Sequence, residues 1–124
     1  FVGKLSSVEL PKFYAAADVF VGPSIITKKG DTEGLGIVFL EAMASGTSVI
    51  GSNVGGIPDI IKHNKTGILV EQKNTSQLAS AIVNLLENKK LQRKLAKNAM
   101  GHIKNNYSWA AAAKKFARVY SKVK

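Results

Sequence analysis

Residues 32–46, with the sequence TEGLGIVFLEAMASG, are the stretch around which the rest of this 124-residue chain is arranged. It begins near an acid, Glu33, continues through two glycines one residue apart, Gly34 and Gly36, and carries a second acid, Glu41. Because neither glycine has a Cβ, the backbone can approach a ligand closely there. A glycine turn that opens a helix also leaves free N–H groups at the positive end of the helix dipole. By itself the stretch predicts a site that binds a phosphate or a carboxylate.

The mostly apolar run at residues 37–45 predicts a short helix, and Gly46 predicts where that helix ends. The two acids could act as the carboxylate pair of a glycoside hydrolase, whose members lie roughly 5–10 Å apart. Eight helical residues would separate Glu33 from Glu41 by about 12 Å, which argues against such a pair. The acids could instead hold two hydroxyl-bearing ends of a ligand whose phosphates lie between them. The structural alternative is a helix-capping Glu33 and a solvated surface Glu41.

Short apolar strands alternate with helices along the rest of the chain. The predicted strands are residues 1–4, 19–21, 48–51 and 68–70. The predicted helices are residues 8–17 (or 11–17) behind a Ser6–Glu9 capping box, residues 37–45, a turn at 59–62, and three helices after residue 75. This alternation is typical of a Rossmann-like parallel sheet of three or four strands. Ligands bind beyond the carboxyl ends of such strands, where the glycine-bearing loops after Val21 and Ile50 are expected.

Three apolar stripes at helical spacing predict buried faces on the three C-terminal helices. They are Leu78, Ile82, Leu85 and Leu86; Leu91, Leu95, Ala99 and Ile103; and Trp109, Ala113, Phe116, Tyr120 and Val123. The last stripe is interpreted as core packing rather than as a platform for stacking nucleic-acid bases.

The net charge of +10 is concentrated at one end of the chain. Residues 1–87 carry seven lysines and eight acids, whereas residues 88–124 carry eleven Lys or Arg and no acid. Such a basic segment suggests an anionic neighbour, which could be a membrane surface, a nucleic acid or an acidic face elsewhere in a larger protein, although the segment could simply be a solvated helix face. The absence of cysteine excludes disulfides and thiolate metal sites and fits a cytoplasmic protein.

Other kinds of site find little support. The segment Gly34-x-Gly36 lacks the third glycine of a dinucleotide fingerprint, and no Gly-Lys-Ser/Thr of a phosphate-binding P-loop is present. His63 and His102 have no Cys, acid or second His at ligand spacing, so both are interpreted as structural or exposed, and no metal is expected. Ser24 and Ser45 lack a His/Asp relay, which argues against nucleophilic catalysis.

The ordered motifs together resemble one known family, the retaining GT-B glycosyltransferases of glycosyltransferase family 4, in their C-terminal, nucleotide-sugar-binding domain. The resemblance covers nearly the whole chain. Its motifs are FVG at residues 1–3, YAAADVFV and PS at 14–24, the acid pair at 33 and 41 running into AMASG, GGIP at 55–58, TGILV at 66–70 and YSW at 107–109.

The resemblance implies a role for each matching residue. Glu33 would be catalytic and contact hydroxyls of the donor sugar, and Glu41 would bind the ribose hydroxyls of the nucleotide. The donor-binding segment Gly34, Leu35, Gly36, Ile37 and Val38 would meet the sugar and the diphosphate through backbone amides. Leu5, with Lys4 beside it, would line the pocket of the base. The partner would be a nucleoside diphosphate sugar, and neither a metal nor another cofactor would be needed.

The resemblance also implies parts that these residues do not supply. Family members carry a basic pair on earlier elements of this domain, and an N-terminal domain that binds the acceptor. We therefore expect residues 1–124 to be one partial domain, truncated on its N-terminal side and inactive in isolation. Residues 1–72 would form the sheet core with the donor site, and residues 73–124 the basic C-terminal helices.

Two alternatives remain beside this interpretation. One is a non-catalytic α/β module whose residues 88–124 bind an anionic membrane or a nucleic acid, although the family resemblance implies no nucleic-acid partner. The other is a flavodoxin-like or receiver-type domain, which would need an acidic pocket at the end of the first strand. In a cytoplasmic enzyme the basic helices could also hold the protein peripherally on a membrane.

Overall fold

The computed structural model describes residues 1–32 and 34–122, and Glu33, Val123 and Lys124 lie outside the described residues. Strands and helices alternate through the first half of the chain, and helices follow in the second. The elements are α1 (Leu10–Ala16), β1 (Val19–Gly22), α2 (Ile37–Ala44), β2 (Ser48–Ser52), α3 (Ile57–Ile60), β3 (Ile68–Val70), α4 (Thr75–Glu87), α5 (Lys89–Asn106) and α6 (Trp109–Tyr120).

The three strands form one parallel sheet in the order β1-β2-β3. Phe20 pairs with Val49, and Ile50 pairs with Ile68. All five residues of β2 are buried, as expected for a central strand covered on both faces. The predicted α/β sheet of three or four parallel strands is therefore confirmed.

Neighbouring residues of β2 point into two separate apolar clusters, because side chains alternate across a strand. Val49 belongs to a cluster with Phe39 and Met43 of α2 and residues of α3. Ile50 belongs to a second cluster with Leu85 of α4 and Leu95 of α5. Helices thus cover both faces of the sheet.

The predicted start signal of α1 and the predicted end signal of α2 are both confirmed. The Ser6 N–H donates to Glu9 Oε2 at 3.0 Å and the Glu9 N–H donates to Ser6 Oγ at 3.3 Å, which forms the capping box before α1. Gly46 has φ +81°, and the N–H groups of Gly46 and Thr47 donate to carbonyls in the last turn of α2 at 3.2 and 3.1 Å. This is a Schellman motif, in which a left-handed glycine ends the helix.

The prediction of a strand at residues 1–4 is wrong. These residues have no regular structure, and Phe1 and Val2 are exposed. A strand requires a neighbour to share its backbone hydrogen bonds, and no described strand lies beside these residues. The short helix after β2 also begins earlier than predicted, at Ile57 instead of Asp59, because Pro58 fits the first turn of a helix.

The predicted buried stripes are confirmed on α5 and only in part on α4. Leu95 and Ala99 of α5 are fully buried, with Leu91 and Ile103 packed beside the core. Leu86 of α4 is exposed, because its neighbour Leu85 occupies the position that faces the sheet.

The interpretation of the α6 stripe as core packing is wrong. Trp109 is 94% exposed and Phe116 66% exposed, and α6 has no buried residue. Periodicity shows that a helix has an apolar face but not what covers that face. Among the described residues α6 packs against α5, which leaves most of the face open.

Candidate functional site

Two loops meet at the carboxyl ends of β1 and β2, where a parallel sheet is expected to bind its ligand. The loop after β1 contains Gly34, and the loop after β2 contains Gly56. A Cβ on Gly56 would lie 1.9 Å from the carbonyl oxygen of Gly34. The two loops therefore touch backbone to backbone, and only glycine fits at position 56. By contrast, a Cβ on Gly34 would meet nothing within 4 Å, so this backbone borders open space.

Helix α2 begins directly after this contact. Gly36 precedes its first turn with φ +67°, a left-handed conformation that favours glycine, and its carbonyl accepts the Phe39 N–H at 2.9 Å. The amides of Ile37 and Val38 lie in the first turn, whose N–H groups lack partners within the helix. The predicted anion site thus has a helix N-terminus at the carboxyl edge of the sheet.

Apolar side chains surround this helix N-terminus. Leu35, Ile37 and Val38 are all more than two-fifths exposed, at 51%, 61% and 42%. Residues 34–38 therefore border the carboxyl edge of the sheet, and the predicted contacts of Gly34, Leu35, Gly36, Ile37 and Val38 with a sugar and a diphosphate stay predictions. Glu33, the predicted catalytic acid, lies outside the described residues.

Glu41 lies farther along the same helix and faces α1. Its carboxylate Oε2 accepts a hydrogen bond from the Tyr14 hydroxyl at 3.1 Å, and the pair is partly buried. Beside it is a cavity of about 290 Å³ between the two helices. The cavity is lined by Ser7, Leu10, Pro11, Tyr14, Glu41, Ala44 and Ser45. Glu41 is therefore a partly buried acid on a concave surface, and the alternative of a freely solvated acid is wrong.

Tyr14 is a member of this site that sequence reasoning missed. Burial, followed by the hydrogen bond and the negative charge of Glu41, raises the pKa of the Tyr14 hydroxyl. The hydroxyl accordingly stays protonated and continues to donate to the carboxylate at neutral pH. The available signal was a single tyrosine in the alanine-rich segment YAAA, because a buried tyrosine hydroxyl usually requires a polar partner.

Leu5 is half-buried but is not one of the residues that line the cavity beside Glu41. The cavity begins two residues later, at Ser7, and continues along the first turn of α1. Leu5 therefore precedes the cavity-lining residues in the chain, and its predicted contact with a nucleotide base stays a prediction.

A second, smaller cavity of about 120 Å³ lies at the ends of all three strands. It is lined by Pro23, Ile25, Ser52, Val70, Glu71, Lys73, Asn74, Thr75 and Leu78. The loop after β1 is held over it, because the Ile26 N–H donates to the Gln72 side chain at 3.0 Å. This contact joins residues far apart in the sequence, and no local pattern predicts it.

His63 fits a structural role. His63 accepts the Leu69 N–H on its Nδ1 atom at 3.0 Å, which holds the turn before β3. Within residues 1–32 and 34–122 no cluster of three or more His, Cys, Asp or Glu side chains could hold a metal ion. None of the helices that the structure describes is both long and apolar enough to cross a membrane.

The fold matches the C-terminal domain of GT-B glycosyltransferases, and similarity to known proteins supports this class. The chain matches the model of the family described as glycosyl transferases group 1 over residues 1–102. The chain belongs to this family.

One relative is a GDP-mannose-dependent alpha-(1-6)-phosphatidylinositol monomannoside mannosyltransferase of Mycobacterium tuberculosis. It is 41% identical over 120 residues, which cover 94% of this chain and 31% of that protein. The chain therefore spans less than a third of the length of this relative.

Two solved structures are similar to this chain in both fold and sequence. Sucrose-phosphate synthase from Thermosynechococcus elongatus superposes with a TM-score of 0.85 and 35% identity, over 99% of this chain and 29% of that one. The C-terminal domain of a glycosyl transferase group 1 family protein (LpcC) from Francisella tularensis gives a TM-score of 0.73 at 35% identity. That match covers 88% of this chain and 53% of the other.

Proposed function

We propose that this chain is the nucleotide-sugar-binding part of a retaining glycosyltransferase. The whole enzyme would transfer a sugar from a nucleoside diphosphate sugar to a glycan, a lipid or a small molecule. The observation that carries the proposal is helix α2, which presents amides at the carboxyl edge of the sheet and Glu41 beside a cavity. Membership of the glycosyl transferases group 1 family supports it, as does the relative named as GDP-mannose-dependent.

Each end of the donor would meet a different part of this helix. The negatively charged diphosphate would lie at the first turn, against the amides of residues 35–38, where the dipole favours negative charge. Glu41 would accept hydrogen bonds from the ribose hydroxyls, and Leu5 would contact the base. Glu33 would contact hydroxyls of the donor sugar.

Catalysis would come mainly from stabilising the leaving diphosphate. Negative charge develops on the diphosphate as the bond to the sugar breaks, and fixed N–H groups stabilise that charge without having to reorient. No metal would be required. In the whole protein an acceptor-binding domain and a basic pair from elsewhere would complete the site, so residues 1–124 alone would bind a donor without transferring its sugar.

The test is Glu33→Ala in the whole protein, measured as transfer of radiolabelled sugar from UDP-, GDP- and ADP-sugars. We expect turnover to fall about a hundredfold or more, because Glu33 would act at the reacting sugar. Glu87→Ala is a matched control, since Glu87 is an exposed acid at the end of α4, away from the site. Unchanged transfer in the Glu33 variant would reject its role, and no transfer from any donor by the unmodified protein would reject the function.

A second candidate function is binding of an anionic membrane surface by residues 88–124, which would place a cytoplasmic enzyme peripherally on the membrane. The favouring observation is the open apolar face of α6 with Trp109, Phe116 and Tyr120, on a helix that also carries Lys114, Lys115 and Arg118. Sedimentation with phosphatidylserine vesicles but not phosphatidylcholine vesicles would support it. Equal salt-sensitive binding to DNA would indicate only non-specific attraction.

A further inference from the structure

The Tyr14 hydroxyl and the Glu41 carboxylate form a contact between two helices that are far apart in the sequence. The hydroxyl donates to one carboxylate oxygen, Oε2, at 3.1 Å. The other oxygen, Oε1, accepts no hydrogen bond from residues 1–32 or 34–122, and Glu41 lines the cavity between α1 and α2. One oxygen is therefore held by the protein while the other remains available to a ligand.

The residues around Tyr14 hold its side chain in place, so that its hydroxyl can fix the position of the Glu41 carboxylate. Its side chain is buried, and its ring meets Phe20 of β1 edge to face at a centroid distance of 5.5 Å. Phe20 in turn meets Phe39 of α2 in the same way at 5.4 Å. The backbone carbonyl of Tyr14 also accepts the Thr47 hydroxyl, which ties the end of α1 to the segment after α2. The ring is thus linked through Phe20 and Phe39 to α2, the helix that carries Glu41.

A glutamate side chain without such a partner samples many rotamers, and a ligand must then supply the free energy to fix one of them. A hydrogen bond to a carboxylate is stronger than one between neutral groups, so Tyr14 selects one orientation effectively. The raised pKa of Tyr14 fits this role, since the hydroxyl remains a donor throughout the neutral range.

We propose that Tyr14 is a positioning residue, which orients Glu41 so that Oε1 accepts a hydrogen bond from a ribose hydroxyl of the bound nucleoside diphosphate. This inference rests on the proposed function, and it adds a selectivity for ribose over deoxyribose that depends on Tyr14.

The test measures by calorimetry how Tyr14→Phe changes binding of UDP, GDP and ADP to the whole protein, together with their 2′-deoxy and 3′-deoxy forms. The unmodified protein should bind the preferred diphosphate about tenfold or more tightly than one of its deoxy forms. Tyr14→Phe keeps the buried ring and removes only the hydroxyl. We expect it to weaken binding of the ribose form about three- to tenfold and that of the same deoxy form by less than about twofold.

Tyr107→Phe is the matched control. Its side chain is half-buried, and its hydroxyl donates to a backbone carbonyl, that of Asp59, at 3.0 Å, so the same atom is lost from a tyrosine that does not bond Glu41. We expect Tyr107→Phe to leave the ratio of ribose to deoxyribose affinity unchanged. Equal weakening of both forms in Tyr14→Phe, or an unchanged ratio, would overturn the positioning role while leaving the proposed function intact. Failure of the unmodified protein to bind any of the diphosphates would overturn both.

Discussion

Gly56 shows how a single missing methyl group permits the site. The loops after β1 and β2 come together there, and a Cβ would lie 1.9 Å from the Gly34 carbonyl oxygen. Gly101, within α5, is the opposite case, because a Cβ there would meet nothing within 4 Å. Position 56 therefore requires glycine for steric reasons, whereas glycine at position 101 only lowers the stability of the helix.

An alanine substitution should have opposite effects on stability at these two glycines. Gly56→Ala should lower the free energy of unfolding by about 1–3 kcal/mol, because the two loops must move apart. Gly101→Ala should raise it by about 0.5–1 kcal/mol, since alanine favours the helix. Urea unfolding measures both changes. A Gly56→Ala protein as stable as the unmodified one would show that the loops do not require this contact.

His102 gives a prediction about pH. Its Nε2 atom is buried without a partner among the described residues, and its Nδ1 lies 3.2 Å from the side-chain nitrogen of Asn106. Burial, and then the charge of Lys62, lower the pKa of His102 below its ordinary value of 6.5. The folded protein therefore binds this proton more weakly than the unfolded chain does, so this contribution to stability is present above the unfolded pKa and is lost as pH falls through the folded one.

We expect the free energy of unfolding to decrease as pH falls from about 7.5 to about 5, and the decrease to be smaller in His102→Gln. Urea unfolding at a series of pH values measures it. Asn105→Gln is the comparison, because Asn105 is an exposed residue of the same helix that does not titrate. An identical pH profile for His102→Gln and the unmodified protein would assign the effect to other groups.

At the scale of elements, Asn88 both ends α4 and begins α5. Its N–H donates to the Asn84 carbonyl at 2.9 Å, and its side-chain oxygen accepts the Leu91 N–H at 2.9 Å. One residue thus fixes the change of direction between two helices that share the cluster around Leu85 and Leu95.

Asn88→Ala should destabilise the protein by about 0.5–2 kcal/mol, because the first turn of α5 loses its side-chain acceptor. Asn88→Asp should keep nearly full stability, since aspartate caps equally well and its charge favours a helix N-terminus. The midpoint of thermal unfolding compares the two. Equal losses in both variants would mean that the cap does not stabilise α5.

At the scale of the whole molecule, the excess positive charge lies in the C-terminal segment of the chain and not in the residues that form the sheet. Residues 88–124 carry eleven cations and no acid, and within the described residues one ion pair, Lys89 with Asp18 at 2.7 Å, offsets them. Lys90 and Lys94 are exposed one helical turn apart, as are Arg93 and Lys97. Like charges at this spacing repel and destabilise a helix.

Stability should consequently rise as NaCl increases from about 0.05 M to about 0.5 M, because salt screens repulsion between exposed charges. Lys90→Glu should raise the free energy of unfolding by about 0.5–1 kcal/mol at low salt and reduce the salt dependence. Lys90→Gln, which removes the charge without reversing it, should lie between the two. Stability that falls with salt in the unmodified protein would contradict this account.

The sequence predicts much of the fold because its main signals are local. The strands Val19–Gly22, Ser48–Ser52 and Ile68–Val70 agree with predictions made from short apolar runs between glycine-bearing turns. The end of α2 at Gly46 follows from one residue's conformational preference. The predictions of a strand at residues 1–4 and of a buried stripe on α6 were wrong. Strand pairing and the burial of a helix face depend on neighbouring elements, which a local pattern does not contain.

Local sequence signals are enough to predict the parallel α/β class, the glycine turn that opens α2, and the position of Glu41 one turn inside that helix. These depend on backbone preferences and hydrophobic spacing over a few residues. Three-dimensional packing, and no local signal, brings Gly34 against Gly56, lets Tyr14 hold Glu41, and leaves the apolar face of α6 open. Such contacts join distant segments, and they form only where the packing of β1 and β2 beneath the helices brings those segments together.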